Sequence, residues 1–225
     1  MVGIKLVMIV GILAGIFSGS VVCQSVGSMV TPAFFNRILN QAGSGCKGKT
    51  FYKRSAFVKA ADSFPKFGHA GSATKSKREI AAFFAHVTRE TGHFCYIREI
   101  QGGTYCQPSR QNPCAPGKKY YGRGPLQITW NYNYGPCGRD IGVNLLRNPD
   151  LAAADAVISF KTALWFWMEN VHSVITSDRG FGRTIRRING GECDGGNPRA
   201  VRERVKYYKQ YCTQLRVTPG PNLSC

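Results

Sequence analysis

Apolar and polar positions along the 225 residues repeat mostly with a helical period. Ile80, Phe83, Phe84 and Val87 recur at i, i+3, i+4 and i+7, the stripe of a helix laid on a core. Ser76 and Glu79 form a capping box ahead of that stripe, and Gly92 ends it. Thr31-Pro32 reads as an N-cap with proline at the first helical position, opening a short helix through Phe34, Phe35, Ile38 and Leu39. A second short helix covers Arg54 to Asp62. Ala156 to Glu169 is apolar nearly all round, which predicts a buried central helix with Trp165 and Trp167 in the core. Asn197-Pro198 opens a last helix with Val201, Val205, Tyr208, Cys212 and Leu215 inward and basic residues outward. From Phe94 to Pro125 the period dissolves among Gly, Pro and Cys, the mark of a long functional loop. LQITWNYNYG then begins extended and passes into coil. The pattern is that of a mainly α chain without internal repeats.

Composition adds a compartment. Residues 1–23 begin MVGIKLVMIVGILAGIFSG, with Lys5 ahead of an apolar run and small residues, the form of a secretory signal cleaved after Ser20 or Cys23. The run is short for a membrane span, and no second one approaches that length, so no integral membrane association is expected. Of nine cysteines, eight follow the leader, which in an exported chain predicts several disulfides. They do not form a zinc set: no C-x2-C pair exists, and His69, His86, His93 and His172 do not interleave with them. The formal net charge is +18, a surface that draws acidic glycans and other polyanions. The basic residues are spread along the chain, however, and no nucleic-acid-reading motif accompanies them, so specific nucleic-acid binding is not expected. Asn222-Leu223-Ser224 is a glycosylation acceptor sequence.

The chemistry concentrates in HVTRETGHFCYIREI, where Glu90 and Glu99 each follow an arginine. On an unbroken helix they would point to opposite sides, about 13.5 Å apart along the axis. A chain that leaves the helix at Gly92 returns Glu99 across a groove from Glu90. Paired carboxylates suit glycosidic cleavage, one donating a proton to the leaving oxygen and the other acting as nucleophile or base. The competing reading makes them surface ion-pair partners. His86, Glu90 and His93 share a helix face at i, i+4 and i+7, but HExxH is absent and no metal site is expected. No G-x-S-x-G elbow occurs, and a catalytic cysteine does not fit an oxidised chain.

Long motifs then narrow the choice: FYKRSAF, KREIAAFFAHVT, ETGHFCYI, CAPGKKYYGRGPLQITWNYNYGPCG, FKTALWFWM, INGGECDG and RVKYYKQYC. Across Ser44 to Cys225 the chain resembles the catalytic domain of the family 19 chitinases, class IV group, with residues 24–43 as a short segment ahead of it. The resemblance implies a lysozyme-like, disulfide-stapled fold of two mainly helical lobes around a substrate cleft. It implies an endochitinase, expected as a monomer, that hydrolyses β-1,4 links between N-acetylglucosamine units in chitin and chitooligosaccharides with inversion. No metal or organic cofactor is required for that reaction. Glu90 would be the general acid and Glu99 the general base. Thr129 would hold the attacking water, and Tyr121, Gln127, Asn133 and Asn189 would contact substrate. Arg204 and His86 would support the site from behind. The family pattern pairs Cys46 with Cys95, Cys106 with Cys114 and Cys193 with Cys225, leaving Cys137 and Cys212 free or bonded to each other. Inversion needs roughly 6.5–9.5 Å between the two carboxyl groups. Phe94 and Tyr96, close in sequence, would bury Glu90 partly, while Glu99 sits in a more open loop.

Four features depart from the family. Arg89 stands where histidine is usual and Arg98 where glutamate is often found. Facing inward, these guanidinium groups would favour ionised carboxylates; facing solvent they matter little. Neighbours on a helix point about 100° apart, which favours outward. INGGECDG is one residue shorter than the family's loop. SVGSMVTPAFF stands where a chitin-binding module is usual, so soluble oligomers or accessible chitin should suit the chain better than crystalline chitin. The alternative function is a catalytically weakened chitooligosaccharide-binding or wall-associated protein on the same fold.

Overall fold

The computed structural model describes residues 25–225; the leader read at 1–23 lies outside them. Ten α-helices follow in order among the described residues: α1 Val26–Met29, α2 Pro32–Leu39, α3 Gly48–Phe51, α4 Arg54–Ala61, α5 Ala73–Thr91, α6 Asn131–Asp140, α7 Ala156–Asn170, α8 His172–Thr176, α9 Phe181–Asn189 and α10 Pro198–Gln214. No β-sheet forms there, only isolated bridges between Arg98 and Arg123 and between Arg123 and Ile128.

Two apolar clusters make two lobes. The larger gathers Phe34, Phe35, Phe57, Phe83, Phe84, Phe94, Phe160 and Trp167 among others. The smaller gathers Tyr120, Ile128, Tyr134, Cys137, Leu145, Ala152 and Trp165. Helix α7 serves both, because residues two apart on a helix point to opposite sides: Trp167 enters the large cluster and Trp165 the small one. Trp165 also donates its indole N–H to Asp140 on α6 at 2.7 Å, tying the lobes together. Residues 25–43, expected as a short segment ahead of the domain, pack on it: α1 and α2 place Val26, Met29, Phe34, Phe35 and Ile38 in the large core.

The caps follow their residue chemistry. The Thr31 hydroxyl accepts from Phe34 N and Asn197 accepts from Ala200 N, each followed by proline at the first helical position. Helix α5 departs from expectation. It starts a turn earlier, capped by Ser72, and Ser76 lies inside it, accepting from Ala70 N. Glu79 is no cap partner. It is fully buried, and its carboxylate meets Gly68 N at 2.9 Å, the Trp167 indole N–H at 2.9 Å and His172 Nδ1 at 2.5 Å.

A second departure is α6, expected as coil. Gly135, Pro136 and Gly138 disguise it, yet Tyr134 and Cys137 are buried at i and i+3. At its first turn Asn131 is pinned to the disulfide-closed loop, donating to Gln107 O at 2.7 Å and Asn112 O at 2.6 Å and accepting from Gln107 N. Disulfides join Cys46 to Cys95, Cys106 to Cys114 and Cys193 to Cys225, while Cys137 and Cys212 are free and buried. Burial pushes both thiols up, Cys212 to about 11, so neither is a nucleophile at neutral pH.

The Glu79 cluster gives a stability test. Glu79→Ala strands two buried N–H donors and the His172 ring, and should lower unfolding free energy by about 3 kcal/mol or more in urea titrations. Glu79→Gln, which keeps an acceptor, should lose clearly less.

Candidate active site

The site depends on how the chain leaves α5. Gly92 closes the helix in the left-handed region at φ 58°, and His93 and Phe94 continue there at φ 63° and 67°. Two side chains hold this reversal. The Thr91 hydroxyl accepts from Phe94 N at 2.8 Å and donates to Val87 O, and the Phe94 ring stacks on Phe35 in the core. His93, off the helix, meets Tyr207 edge-on, so the i, i+4, i+7 arrangement of His86, Glu90 and His93 is not formed. The chain then runs beside the 122–124 segment, through Glu99 N to Gly122 O and Gly124 N to Ile97 O, both 2.8 Å.

Glu90 and Glu99 thereby line one cleft of about 990 Å³, with Arg89, Tyr96, Arg98, Tyr105, Gln127, Thr129, Trp130 and Asn189. That is the size of a substantial ligand site. Glu99 is fixed on both oxygens: Tyr105 donates its phenol at 2.8 Å and Gly122 its backbone N–H at 3.0 Å. The hydrogen bond to Glu99 raises the Tyr105 phenol above its ordinary range, so it remains a donor. Neither Tyr105 nor Gly122 was anticipated; a phenol six residues from Glu99, beside Cys106, was the available sign.

Glu90, with 21% of its side chain exposed, is oriented by Arg204 rather than by an aromatic wall. Phe94 is in the core and Tyr96 is exposed at the cleft. Arg204 Nη2 donates to Glu90 at 2.5 Å and to Glu192 at 2.9 Å, while its Nε donates to Glu192 at 2.7 Å. Its remaining nitrogen donates to His86 Nδ1 at 3.0 Å. His86 Nε2 lies 2.8 Å from the Thr184 hydroxyl, which itself donates to Phe181 O. Thr184 therefore accepts from Nε2–H, which fixes the tautomer and leaves Nδ1 to receive Arg204. Burial, and then the Arg204 charge, hold the His86 imidazole well below its usual range. Burial alone would lower Arg204, but its bonds to Glu192 and Glu90 more than offset that and keep it a cation. Glu192 is a third unanticipated member. The INGGECDG segment delivers it, buried, directly onto the guanidinium.

The remaining candidates divide. Gln127 and Thr129 line the cleft; the Gln127 amide donates to Gly124 O and the Thr129 hydroxyl to Gln127 O, both 2.7 Å. Asn189 lines it opposite and donates weakly to Glu192 at 3.3 Å. Asn133 does not line it but braces Thr129, donating to its carbonyl at 2.9 Å. Tyr121 does not line it either. Its ring lies under the Arg123 guanidinium, 3.7 Å from the centroid, and Arg123 in turn bonds Lys119 O, Tyr121 O, the Tyr134 hydroxyl and Asp150. Arg89 turns to Glu203 at 3.2 Å and Arg98 is exposed at the rim. No group of three or more His, Cys, Asp or Glu with metal-holding geometry occurs among the described residues.

A neutral buried His86 makes stability depend on pH. The unfolded imidazole binds a proton near pH 6.5 and the folded one only well below it. Its contribution is complete above pH 6.5 and lost as pH falls from there toward the folded value, by up to about 1.4 kcal/mol per pH unit. Denaturant unfolding at stepped pH should show this slope, reduced in His86→Gln; parallel slopes in both proteins would refute it.

A family model described as chitinase class I matches residues 29–225. The chain is 66% identical over 204 residues to Endochitinase A of Zea mays, spanning 89% of this chain and 72% of that one. It is 60% identical over 217 residues to Chitinase 4 of Oryza sativa subsp. japonica, spanning 95% and 75%. Its structure superposes on the crystal structure of a family GH19, class IV chitinase from Zea mays with TM-score 0.87 and 63% identity, covering 90% of this chain and all of that one. Chitinase C of Streptomyces griseus HUT6037 aligns at TM-score 0.80 and 39% identity, covering 88% and 80%.

Proposed function

We propose that this chain, which belongs to the family 19 chitinases, is an endochitinase that cleaves β-1,4 links between N-acetylglucosamine units in one inverting step. The observation that carries the proposal is that Glu90 and Glu99 face one cleft while being held by different partners. Glu90 acts as the general acid. Its carboxyl is aimed by Arg204, and the two-point contact of Glu192 with that guanidinium means that Arg204 supplies orientation more than uncompensated charge. Glu99 acts as the general base. Each of its oxygens already accepts one hydrogen bond, which fixes the plane of the carboxylate while leaving lone pairs for a water. Thr129, whose proton is committed to Gln127 O, offers its oxygen to that water as an acceptor. The water attacks the anomeric carbon from the face opposite the leaving oxygen as Glu90 protonates that oxygen, which yields inversion.

Gln127 and Asn189 contact sugar directly. Asn133 acts through Thr129, and Tyr121 through Arg123 and the backbone that presents Gly122 to Glu99. The catalytic domain takes in α1 and α2 along with residues 44–225. The protein works outside the cytoplasm, extracellularly or in a vacuole, where the three disulfides among the described residues are stable, in defence against or turnover of chitin-bearing walls.

Hydrolysis of N-acetylglucosamine hexamer, with product anomers resolved within minutes, tests the roles. The expected products are α-anomers, and Glu90→Gln and Glu99→Gln should each lower turnover by about 100-fold or more without a matching loss of fold. β-Anomer products, or undiminished turnover in either variant, would overturn the assignment. Absence of turnover between about pH 4 and 8 with the hexamer still bound would move the chain to the sugar-binding reading.

A further inference from the structure

A second cavity, of about 740 Å³, lies apart from the cleft and shares no lining residue with it. Arg179, Arg183 and Arg186 line one side and Asn222, Ser224 and Cys225 the other, with no acidic side chain among the lining. Its shape is built in. Phe181, Thr184 and Ile185 of α9 are buried, which turns Arg183 and Arg186 together to the opposite, exposed face. The facing 222–225 segment is held by Gly182 N donating to Asn222 O at 2.8 Å and by the Cys193–Cys225 disulfide. Gly180, at φ 87°, and Gly182 make this approach possible, since a Cβ on either would run into the 222–224 backbone. The guanidinium groups thus stand against a braced wall to which Asn222 and Ser224 contribute hydrogen-bonding groups and Cys225 its main-chain carboxylate, which makes no ion pair of 4 Å or less with them.

We propose that this cavity is a binding site for a carboxylated polysaccharide, a polyuronate, which holds the protein on an acidic matrix while the cleft remains open. The site already shows how it takes a carboxylate: Asp194 binds Arg186 through two bonds, at 2.6 and 2.9 Å. Arg179 and Arg183 make no ion pair of 4 Å or less with an acidic group of the described residues. Arg179 just ahead of α9, and Arg183 and Arg186 along it, set guanidinium groups in succession, which suits a polymer with repeated carboxylates. The surroundings argue against other polyanions. The large apolar side chains exposed among the described residues are Tyr96, Ile100 and Tyr132; the first two line the cleft, and the third stacks on the cleft residue Trp130. None lines the second cavity to enter a lipid surface or stack on a base there.

The test is binding of polygalacturonate to the full chain at low and moderate ionic strength, using protein produced without glycosylation so that Asn222 is bare. Arg179→Gln with Arg183→Gln should weaken binding about tenfold and leave hexamer hydrolysis unchanged. Asp194→Asn, which frees Arg186 and keeps a residue suited to the left-handed backbone at φ 54°, should strengthen binding about threefold. A charge-matched pair on the outer face of α10, Lys206→Gln with Lys209→Gln, should change it less than about twofold. Equal losses in the two double variants would reduce the effect to diffuse net charge and overturn the site, as would no gain in Asp194→Asn. Tighter binding to phosphatidylserine vesicles or to RNA than to polygalacturonate at matched ionic strength would overturn the ligand class.

Discussion

Arg204 has 1% of its side chain exposed, and a charge so placed must be met from inside the protein. Its partners come from three places in the chain: Glu90 and His86 from α5, Glu192 from the turn after α9, and Thr184 of α9 through the imidazole. The requirement that every one of these groups be paired locks α5, α9 and α10 in one relative arrangement. Glu90 inherits its position from that lock. The proposed acid is therefore aimed by a structural necessity of the core, and the Cys193–Cys225 bridge, next to Glu192, holds the same corner covalently.

The side of the proposed base, Glu99, is organised on the same plan. Arg123 is also buried, lies against Tyr121, and gathers Lys119 O, Tyr121 O, Tyr134 and Asp150 around its guanidinium. These bonds fix the 119–123 backbone, and the N–H of Gly122 within it is one of the two donors on Glu99. Each wall of the cleft thus rests on a buried arginine that does not itself line the cleft. Part of the chain's large positive charge is scaffold, and only the remainder is surface available for steering or docking.

What the sequence revealed depended on whether the determining contacts were local. Helices α2, α5, α7 and α10 were legible because their stripes and caps lie within a few residues, as with Thr31, Gly92 and Asn197. Helix α6 was hidden by Gly135, Pro136 and Gly138, since its formation is decided by burial of Tyr134 and Cys137 and by the distant ties of Asn131. Glu79 passed for a cap because its partners Trp167 and His172 are 88 and 93 residues away. Motif resemblance brought out Glu90, Glu99, Thr129 and Arg204, whereas Tyr105, Gly122, Arg123 and Glu192 are defined by contacts that no spacing rule contains. Gly92 announced that the chain turns; the left-handed His93 and Phe94 that complete the turn are stable only because Thr91 and Phe35 receive them.

Arg89 and Arg98 show why adjacency in sequence is a poor guide to electrostatics in this site. Each sits beside a proposed catalytic carboxylate, yet Arg89 is drawn to Glu203 on α10 and Arg98 stands at the solvent-exposed rim, where screening is strong. The contacts that orient Glu90 and Glu99 come instead from Arg204, 114 residues away, from Gly122, 23 residues away, and from Tyr105, six residues on, none of them a sequence neighbour of the carboxylate it holds. A substitution next to a catalytic carboxylate can therefore be electrostatically mild, while one across the fold decides its geometry. Tolerance of arginine at both positions follows from the fold having assigned the task of orienting the carboxylates elsewhere.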